Sequence, residues 1–363
     1  MSNMCHYNGS IEFFYNNSNK ELPHEWGTLQ VVTLVLGILV SALVLFANGL
    51  VIAAVYVNKR FHVPIYYLLG NLAAADLFAG IAYIFLLANT GPNTRNLTVR
   101  TWMLRQSLLD TSLTASVANL LAIAIERHVT IFRMQLHTKM SKRRVMVVIA
   151  MIWVISVFMG ALPSFGWNCI CNIKTCSNMA PLYSDSYLIF WATSNLVVFV
   201  VMVGLYVHIY VYVRKQTLRM SRHSSLPRKH KETTMNLQKT VSIILGAFVI
   251  CWTPALVLLL LDVVCKKGCN LYVYEKFFLL LAEFNSGVNP IIYSLRDHEM
   301  QSTFLQVLRC RRPLYLATNS EEVQITSLRK NGPKADENKG EELARNDENL
   351  EGSRRGDGGG GLP

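Results

Sequence analysis

Charge is what this 363-residue sequence has least of: Asp, Glu, Lys and Arg make up 16% of it, against 52% hydrophobic residues and a mean hydropathy of +0.28. A soluble domain carries roughly a quarter charged residues, so the composition argues against a soluble fold. The first 28 residues contain no apolar h-region. No cleavable signal peptide is therefore visible, and the first apolar segment has to act as its own membrane signal. There is no internal repeat and no second soluble domain.

Long apolar runs are abundant instead. A helix needs about 20 mostly apolar residues to cross the hydrocarbon core. Seven such segments succeed one another: Leu29–Val57, Pro64–Asn89, Thr101–Phe132, Val145–Leu162, Leu188–Val213, Thr240–Val264 and Tyr274–Leu295. One alone would pass for a core helix of a large soluble protein; seven joined by short polar loops do not. The third is the least apolar, and a strict hydropathy cutoff is expected to miss it. The expected fold is an all-α seven-transmembrane helix bundle over residues 29–296, preceded by an extracellular N-terminal segment over 1–28. An amphipathic eighth helix over 297–310 and a polar, disordered cytoplasmic tail over 311–363 follow it.

Lys and Arg placement sets the orientation. The loops after the first, third and fifth segments hold Lys59 and Arg60, then Arg133, Lys139, Lys142, Arg143 and Arg144, then Arg214, Lys215, Arg219, Arg222, Arg228, Lys229 and Lys231. That side is cytosolic, so the N-terminus is extracellular and the expected location is the plasma membrane. Much of the formal net charge of +12 is then a topology signal, and nucleic acid need not be invoked as a partner. The sequons at Asn8, Asn16 and Asn96 all fall on the predicted exterior. So do six of the eight cysteines: Cys5, Cys169, Cys171, Cys176, Cys265 and Cys269. An even number in an oxidising compartment suggests bridges, and Cys265 and Cys269 are close enough in sequence to pair across the tight third outer loop. Cys251 reads as a small packing residue. Cys310, beside Arg309, Arg311 and Arg312, is either a palmitoylation site holding the amphipathic helix Asp297–Leu308 to the membrane surface or an exposed thiol.

Ionisable residues inside a bilayer are expensive and mark function by default. Asp76 lies in the second segment, Asn48 in the first, Ser116 in the third, and Asn285, Ser286 and Asn289 in the seventh. Facing inward at one depth, they form a single polar cluster. Asp76, Ser116 and Asn285 then offer oxygen ligands to a sodium ion or water; alternatively the cluster only ties helices together. The third segment ends on Glu126-Arg127-His128. The sixth carries Cys251-Trp252-Thr253-Pro254, where Pro254 frees a backbone carbonyl and kinks the helix beside Trp252. The seventh closes with Asn289-Pro290-Ile291-Ile292-Tyr293.

This ordered set, with Trp153 in the fourth segment, resembles the helix signatures of rhodopsin-like G-protein-coupled receptors over roughly Leu29 to Cys310. The resemblance implies a switch. Arg127, next to Glu126, engages a heterotrimeric G protein once the sixth segment swings outward, Trp252 and Pro254 couple a pocket to that swing, and Asn289, Pro290 and Tyr293 belong to the same machinery. It also implies arrestins and receptor kinases as partners, no catalysis and no cofactor. Two departures stand out. Trp102 occupies the place of the usual Cys at the outer end of the third segment, and the fifth segment has Val198 near the place of its usual Pro. Both are shared by the lysophospholipid receptor branch, whose second outer loop closes its own bridge. By that resemblance Cys169 pairs with Cys176, and Cys171 with Cys5, tethering the N-terminal segment over the pocket.

Gln106 and Asp110 lie at i and i+4, on one face of a helix, with Arg105 beside them. Arg105, Lys276 and Lys20 can converge on one anion near the outer surface, with Tyr15 close by. Arg suits a bidentate grip on phosphate, while Lys supplies a point charge; alternatively Arg105 and Lys276 snorkel at helix ends. Leu109, Trp191, Trp252, Ala255, Leu256 and Leu259 offer an apolar or aromatic wall below. An anionic head above a long apolar cavity matches a single-chain phospholipid. Phe14-Tyr15-Asn16, Arg105-Gln106, Asn168–Cys176, Met179–Tyr183 and Tyr274–Phe278 resemble the lysophosphatidic acid receptors of the endothelial-differentiation branch. Asn17–Leu22 and Leu68–Asn71 lean toward the second subtype and Phe132–Thr138 toward the first. In the sphingosine-1-phosphate relatives a Glu stands at the place of Gln106. A carboxylate pairs with the sphingoid ammonium, whereas an amide serves a neutral glycerol hydroxyl without burying an unpaired charge. Ala255 stands where Gly is expected, narrowing the cavity by a methyl. The expectation is a receptor for lysophosphatidic acid; the alternatives are a receptor for another lysophospholipid such as sphingosine-1-phosphate and, from a different class, a seven-helix transporter or channel using Asp76 as a relay. That last reading leaves Glu126-Arg127-His128 unexplained. A retinal-type photoreceptor needs a Lys in the middle of the seventh segment, where Lys276 stands only at the outer end.

Overall fold

The computed structural model describes residues 9–18, 20, 22–133, 141–221, 228–265 and 272–309. Among them the chain is helical, with no β-structure beyond isolated bridges. A short helix α1 (Ile11–Asn17) precedes seven long ones: α2 (Thr28–Val57), α3 (Pro64–Ala88), α4 (Val99–Arg133), α5 (Lys142–Ala161), α6 (Asp185–Ser221), α7 (Arg228–Val264) and α8 (Tyr272–Arg296). A final helix, α9, spans His298–Leu308. The ends follow local chemistry. Pro64 opens α3 where a missing N–H is harmless, and the Ser141 side chain caps α5 by accepting from the Arg144 N–H. Helices α6 and α7 run well past the apolar segments expected for them, because helical hydrogen bonds are local and continue into polar sequence.

Six of the seven long helices are apolar enough to cross a membrane by length and composition, and the third expected span, now α4, is among them with a hydropathy of 1.6. The expectation that it would fall short is therefore wrong. The helix that does fall short is α8, whose apolar run is broken by Glu283, Asn285, Ser286 and Asn289.

The helices close into a ring: α2 packs between α3 and α8, α7 between α6 and α8, and α4 runs against α3, α5 and α6. The burial pattern separates centre from rim, since 61% of the apolar stretch of α4 is buried against 22% for α2, α5 and α6. Phe46, Phe158, Val200 and Ile250 point outward and are largely exposed. Lipid tails are as apolar as these side chains, so such a surface is at home only in a bilayer. The interior instead holds a polar ladder. Asn48 Nδ2 donates to the Ser286 carbonyl at 2.9 Å, Asn71 Nδ2 to Asn119 Oδ1 at 2.7 Å, and Trp153 Nε1 to Asn71 Oδ1 at 3.0 Å. These bonds join α2 to α8 and α3 to α4 and α5.

At the end of the bundle opposite α1, Asp297 caps α9 by accepting from the Glu299 and Met300 N–H groups, and its other oxygen accepts from Tyr66 at 2.7 Å. Met300 and Phe304 are buried while Leu305 and Leu308 face outward, so α9 has the amphipathic character expected of it.

Helices α5 and α4 approach closely at Gly160. A Cβ on Gly160 would lie 2.7 Å from the Ser107 carbonyl oxygen and 2.9 Å from the Thr111 nitrogen, both backbone atoms that cannot swing aside. Gly204, by contrast, has open space. Gly160→Val should therefore destabilise the purified protein by roughly 1–3 kcal/mol through overpacking, while Gly204→Val leaves melting in detergent nearly unchanged. Equal melting of the two variants would contradict this packing.

Candidate functional site

A cavity of ≈ 850 Å³ opens into the bundle from the end that carries α1. Its roof is built by α1 and by the loop between α5 and α6. Ile11, Phe14 and Tyr15 on α1 are buried. The loop is closed on itself by the Cys169–Cys176 disulfide (Cα–Cα 5.2 Å), as expected. Cys171 and Cys265 are disulfide-bonded as well; the partners expected for them, Cys5 and Cys269, lie outside the described residues, as do Asn8 and Cys310. Asn16 and Asn96 are exposed at the same end as the roof.

Trp102, which stands where a disulfide cysteine was to be expected, supplies a different tie. It is 1% exposed, its Nε1 donates to the Tyr15 hydroxyl at 3.1 Å, and its ring meets Tyr183 edge-on at 5.5 Å. One side chain of α4 thus holds both α1 and the α5–α6 loop. Sequence reasoning registered the absence of Cys there but not this substitute, because nothing local to Trp102 points to Tyr15.

Tyr15, Lys20, Arg105, Gln106, Asp110, Trp191, Trp252 and Lys276 all line the cavity, with Leu109, Ala255, Leu256 and Leu259. Their bonding differs. Arg105 is 5% exposed; one terminal nitrogen donates to the Asn89 carbonyl at 2.6 Å, its Nε has no partner, and no carboxylate pairs with it among the described residues. A guanidinium out of water is strongly disfavoured unless an anion meets it. Lys20 Nζ donates to the Met179 carbonyl and to Glu275 Oε2, each at 2.7 Å. Burial lowers the Lys20 pKa, but the Glu275 carboxylate and the neighbouring Tyr15 together outweigh it and hold the ammonium above the ordinary lysine value. A raised value of this kind stabilises the pair while Lys20 is protonated, so the contact persists through neutral pH and is lost only in alkali. Asp110 shares the cavity wall with Gln106, yet its Oδ2 already accepts from the Tyr183 and Tyr187 hydroxyls at 3.0 Å each. Trp191 and Trp252 keep their indole N–H groups buried without a partner.

Deeper in the bundle Asp76 is fully buried. Its Oδ1 accepts from Ser116 (3.0 Å) and Ser286 (3.1 Å) and its Oδ2 from Asn289 (2.7 Å). Asn285, expected among the same ligands, is not bonded to Asp76; both its amide atoms are buried without a partner, as are Asn289 Oδ1 and the Tyr293 hydroxyl. At the far end Arg127 Nε donates to Glu126 Oε2, and Thr130 Oγ1 donates to the other Glu126 oxygen at 3.0 Å. Pro254 and Pro290 lie inside α7 and α8.

A bundle of this kind, open to a cavity at one end and carrying the Arg127–Glu126 pair at the other, defines a class. Residues 47–293 match the model of the 7 transmembrane receptor (rhodopsin family), and the chain belongs to that family. Over 308 residues, 85% of this chain and 84% of the relative, it is 68% identical to lysophosphatidic acid receptor 1 of Homo sapiens. It is 67% identical to lysophosphatidic acid receptor 1-B of Xenopus laevis over the same shares, and 54% identical to lysophosphatidic acid receptor 3 of Rattus norvegicus over 309 residues, 85% of this chain and 87% of that one.

The Trp102–Tyr15 bond makes a measurable prediction. A neutral hydrogen bond contributes about 1 kcal/mol net, so Trp102→Phe should raise hydrogen exchange in residues 11–18 about fivefold. Trp102→Ala, which also removes the packing on Tyr183, should raise it more. Unchanged protection in both variants would mean that α1 is held by other contacts.

Proposed function

We infer that the protein is a receptor for lysophosphatidic acid at the plasma membrane that passes ligand binding to heterotrimeric G proteins. The observation that carries this is Arg105, a guanidinium buried in the cavity wall with no carboxylate of its own. A phosphate in contact with Arg105, Lys20 and Lys276 supplies the missing counter-charge, and the Leu109, Trp191, Trp252 and Leu259 wall accepts a single acyl chain. Gln106 serves the glycerol hydroxyl as a neutral amide, and Asp110, fixed by two tyrosines, sits one turn below it. The names of the relatives support the same ligand. Trp252, at the base of the cavity and two residues before Pro254, senses the chain. Release of the Glu126–Arg127 latch then exposes Arg127 to the G protein, with Asn289, Pro290 and Tyr293 adjusting the end of α8.

The same reading has an extracellular N-terminus, glycans on Asn8, Asn16 and Asn96, a palmitoyl group on Cys310, and receptor kinases and arrestins acting on the cytosolic face and tail. The unpartnered Asn285 and Asn289 amide oxygens beside Asp76 and Ser116 fit a small monovalent cation or water.

Calcium or cyclic-AMP responses in receptor-null cells test the ligand assignment. Arg105→Ala should raise the half-maximal concentration of lysophosphatidic acid by about 100-fold, the order expected for a charge-assisted contact at a buried site. Gln106→Glu should weaken that response and gain one to sphingosine-1-phosphate, whose ammonium the new carboxylate can pair. Equal responses of the unaltered receptor to the two lipids would overturn the argument from Gln106. Ala255→Gly restores the space of one methyl and should shift preference toward bulkier acyl chains in a panel of lysophosphatidic acids.

A further inference from the structure

Asp262 lies near the end of α7 and is 3% exposed, yet it does not line the cavity. An ionisable residue so deeply buried needs partners, and it finds them on the α5–α6 loop. Its Oδ2 accepts from Ser177 Oγ at 2.6 Å, from the Asn178 N–H at 3.1 Å and from the Met179 N–H at 3.2 Å. Ser177 Oγ in turn accepts from the Ala180 N–H at 2.9 Å. The turn from Ser177 to Ala180 is therefore wrapped around one carboxylate oxygen that belongs to another element. Met179 has both its backbone groups engaged: its N–H donates to Asp262, and its carbonyl accepts from Lys20 Nζ at 2.7 Å.

We propose that Asp262 is a positioning residue for the phosphate grip: by fixing the Ser177–Met179 turn it sets the Met179 carbonyl that aims Lys20, and so ties the ligand-head contact to the placement of α7. This rests on the reading of Lys20 as a phosphate ligand. The physical case is directional. Lys20 is an ammonium on a flexible four-carbon stem and has no preferred aim of its own. Two acceptors, Met179 O and Glu275 Oε2, restrict it. Glu275 is a flexible side chain on α8, whereas the Met179 carbonyl is backbone held through its own N–H. Helix α7 is also the one that carries Trp252 and Pro254. A displacement of its end carries Asp262 with it, drags the turn, and alters the aim of Lys20. Lysophosphatidic acid held by Lys20 then resists or favours that displacement, which is the differential contact that a ligand needs to shift a conformational equilibrium.

The test is a double-mutant cycle on the full-length receptor, with lysophosphatidic acid binding measured at matched surface expression. Asp262→Ala should weaken binding about tenfold in the unaltered background, and less than about twofold when Lys20→Ala is already present, because the two act through one contact. In the Arg105→Ala background the Asp262→Ala effect should persist at full size. A merely structural role would lower binding equally in all three backgrounds, and that additive result would overturn the proposal. No effect in the unaltered background would overturn it too. Ser177→Ala removes one of the three bonds to Asp262 and should reproduce the pattern at smaller amplitude; it decides the question if Asp262→Ala does not reach the surface. If neither Lys20→Ala nor Arg105→Ala weakens binding of lysophosphatidic acid, the ligand-site reading itself fails, and that outcome is distinct from additivity.

Discussion

Hydrocarbon offers no hydrogen bonds, so every polar group inside the bilayer must find its partner within the bundle. That constraint sorts the whole structure. It forces the chain into helices whose backbone groups satisfy themselves, and it turns apolar side chains such as Phe46 and Ile250 outward rather than inward. It also leaves the few interior polar residues to bond one another, as Asn48, Asn71, Asn119 and Trp153 do. Under this rule an interior polar group without a partner is a signal. Arg105 at the mouth and Asn285 in the middle both carry such groups, as do Trp191 and Trp252 in the cavity wall.

How much of this was legible in the sequence follows from the range of each interaction. The seven spans were, because hydropathy is a local sum, and so was the pairing of Gln106 with Asp110, because the helical repeat puts i and i+4 on one face. The ranking of the spans was not. α4 is apolar enough to cross a membrane while α8 is not, since Glu283, Asn285, Ser286 and Asn289 dilute the apolarity of α8. The tying of Asp110 to Tyr183 and Tyr187, of Trp102 to Tyr15 and of Asp262 to Ser177 joins residues roughly 70 to 90 positions apart. No periodicity carries that information. Asp262 in particular reads as an acid near the end of an apolar helix and gives no hint that a loop is wound around it. The Asp76 cluster was legible in outline, but its membership was not. Ser286 and Asn289 bond the carboxylate while Asn285, one residue before Ser286, keeps both amide atoms unpaired.

Trp102 illustrates how a missing covalent tie is replaced. A disulfide between a helix end and a loop holds one point to one point. A buried indole holds two elements at once, through an N–H bond to Tyr15 and an edge contact to Tyr183. The loop then needs its own closure, which the Cys169–Cys176 bridge provides across seven residues. The consequence is a roof in which the N-terminal helix is part of the cavity wall. Tyr15 on that helix and Lys20 just after it both line the cavity.

The two ends of the receptor are connected by α7 and α4 in different ways. On α4, Arg105 and Gln106 lie at the cavity and Glu126 and Arg127 at the far end, about twenty residues and so roughly 30 Å apart along one rigid helix. On α7, Pro254 interrupts the hydrogen-bond ladder just past Trp252, so the segment that bears Asp262 and the segment below Trp252 need not move as one body. A ligand that fixes the end of α7 through the loop and pushes on Trp252 therefore acts on either side of a hinge, while α4 supplies the fixed reference. In the proposed reading, signal transfer uses that asymmetry: α4 carries Arg127 on a helix without an internal proline, while Pro254 removes one backbone bond from α7 beside Trp252.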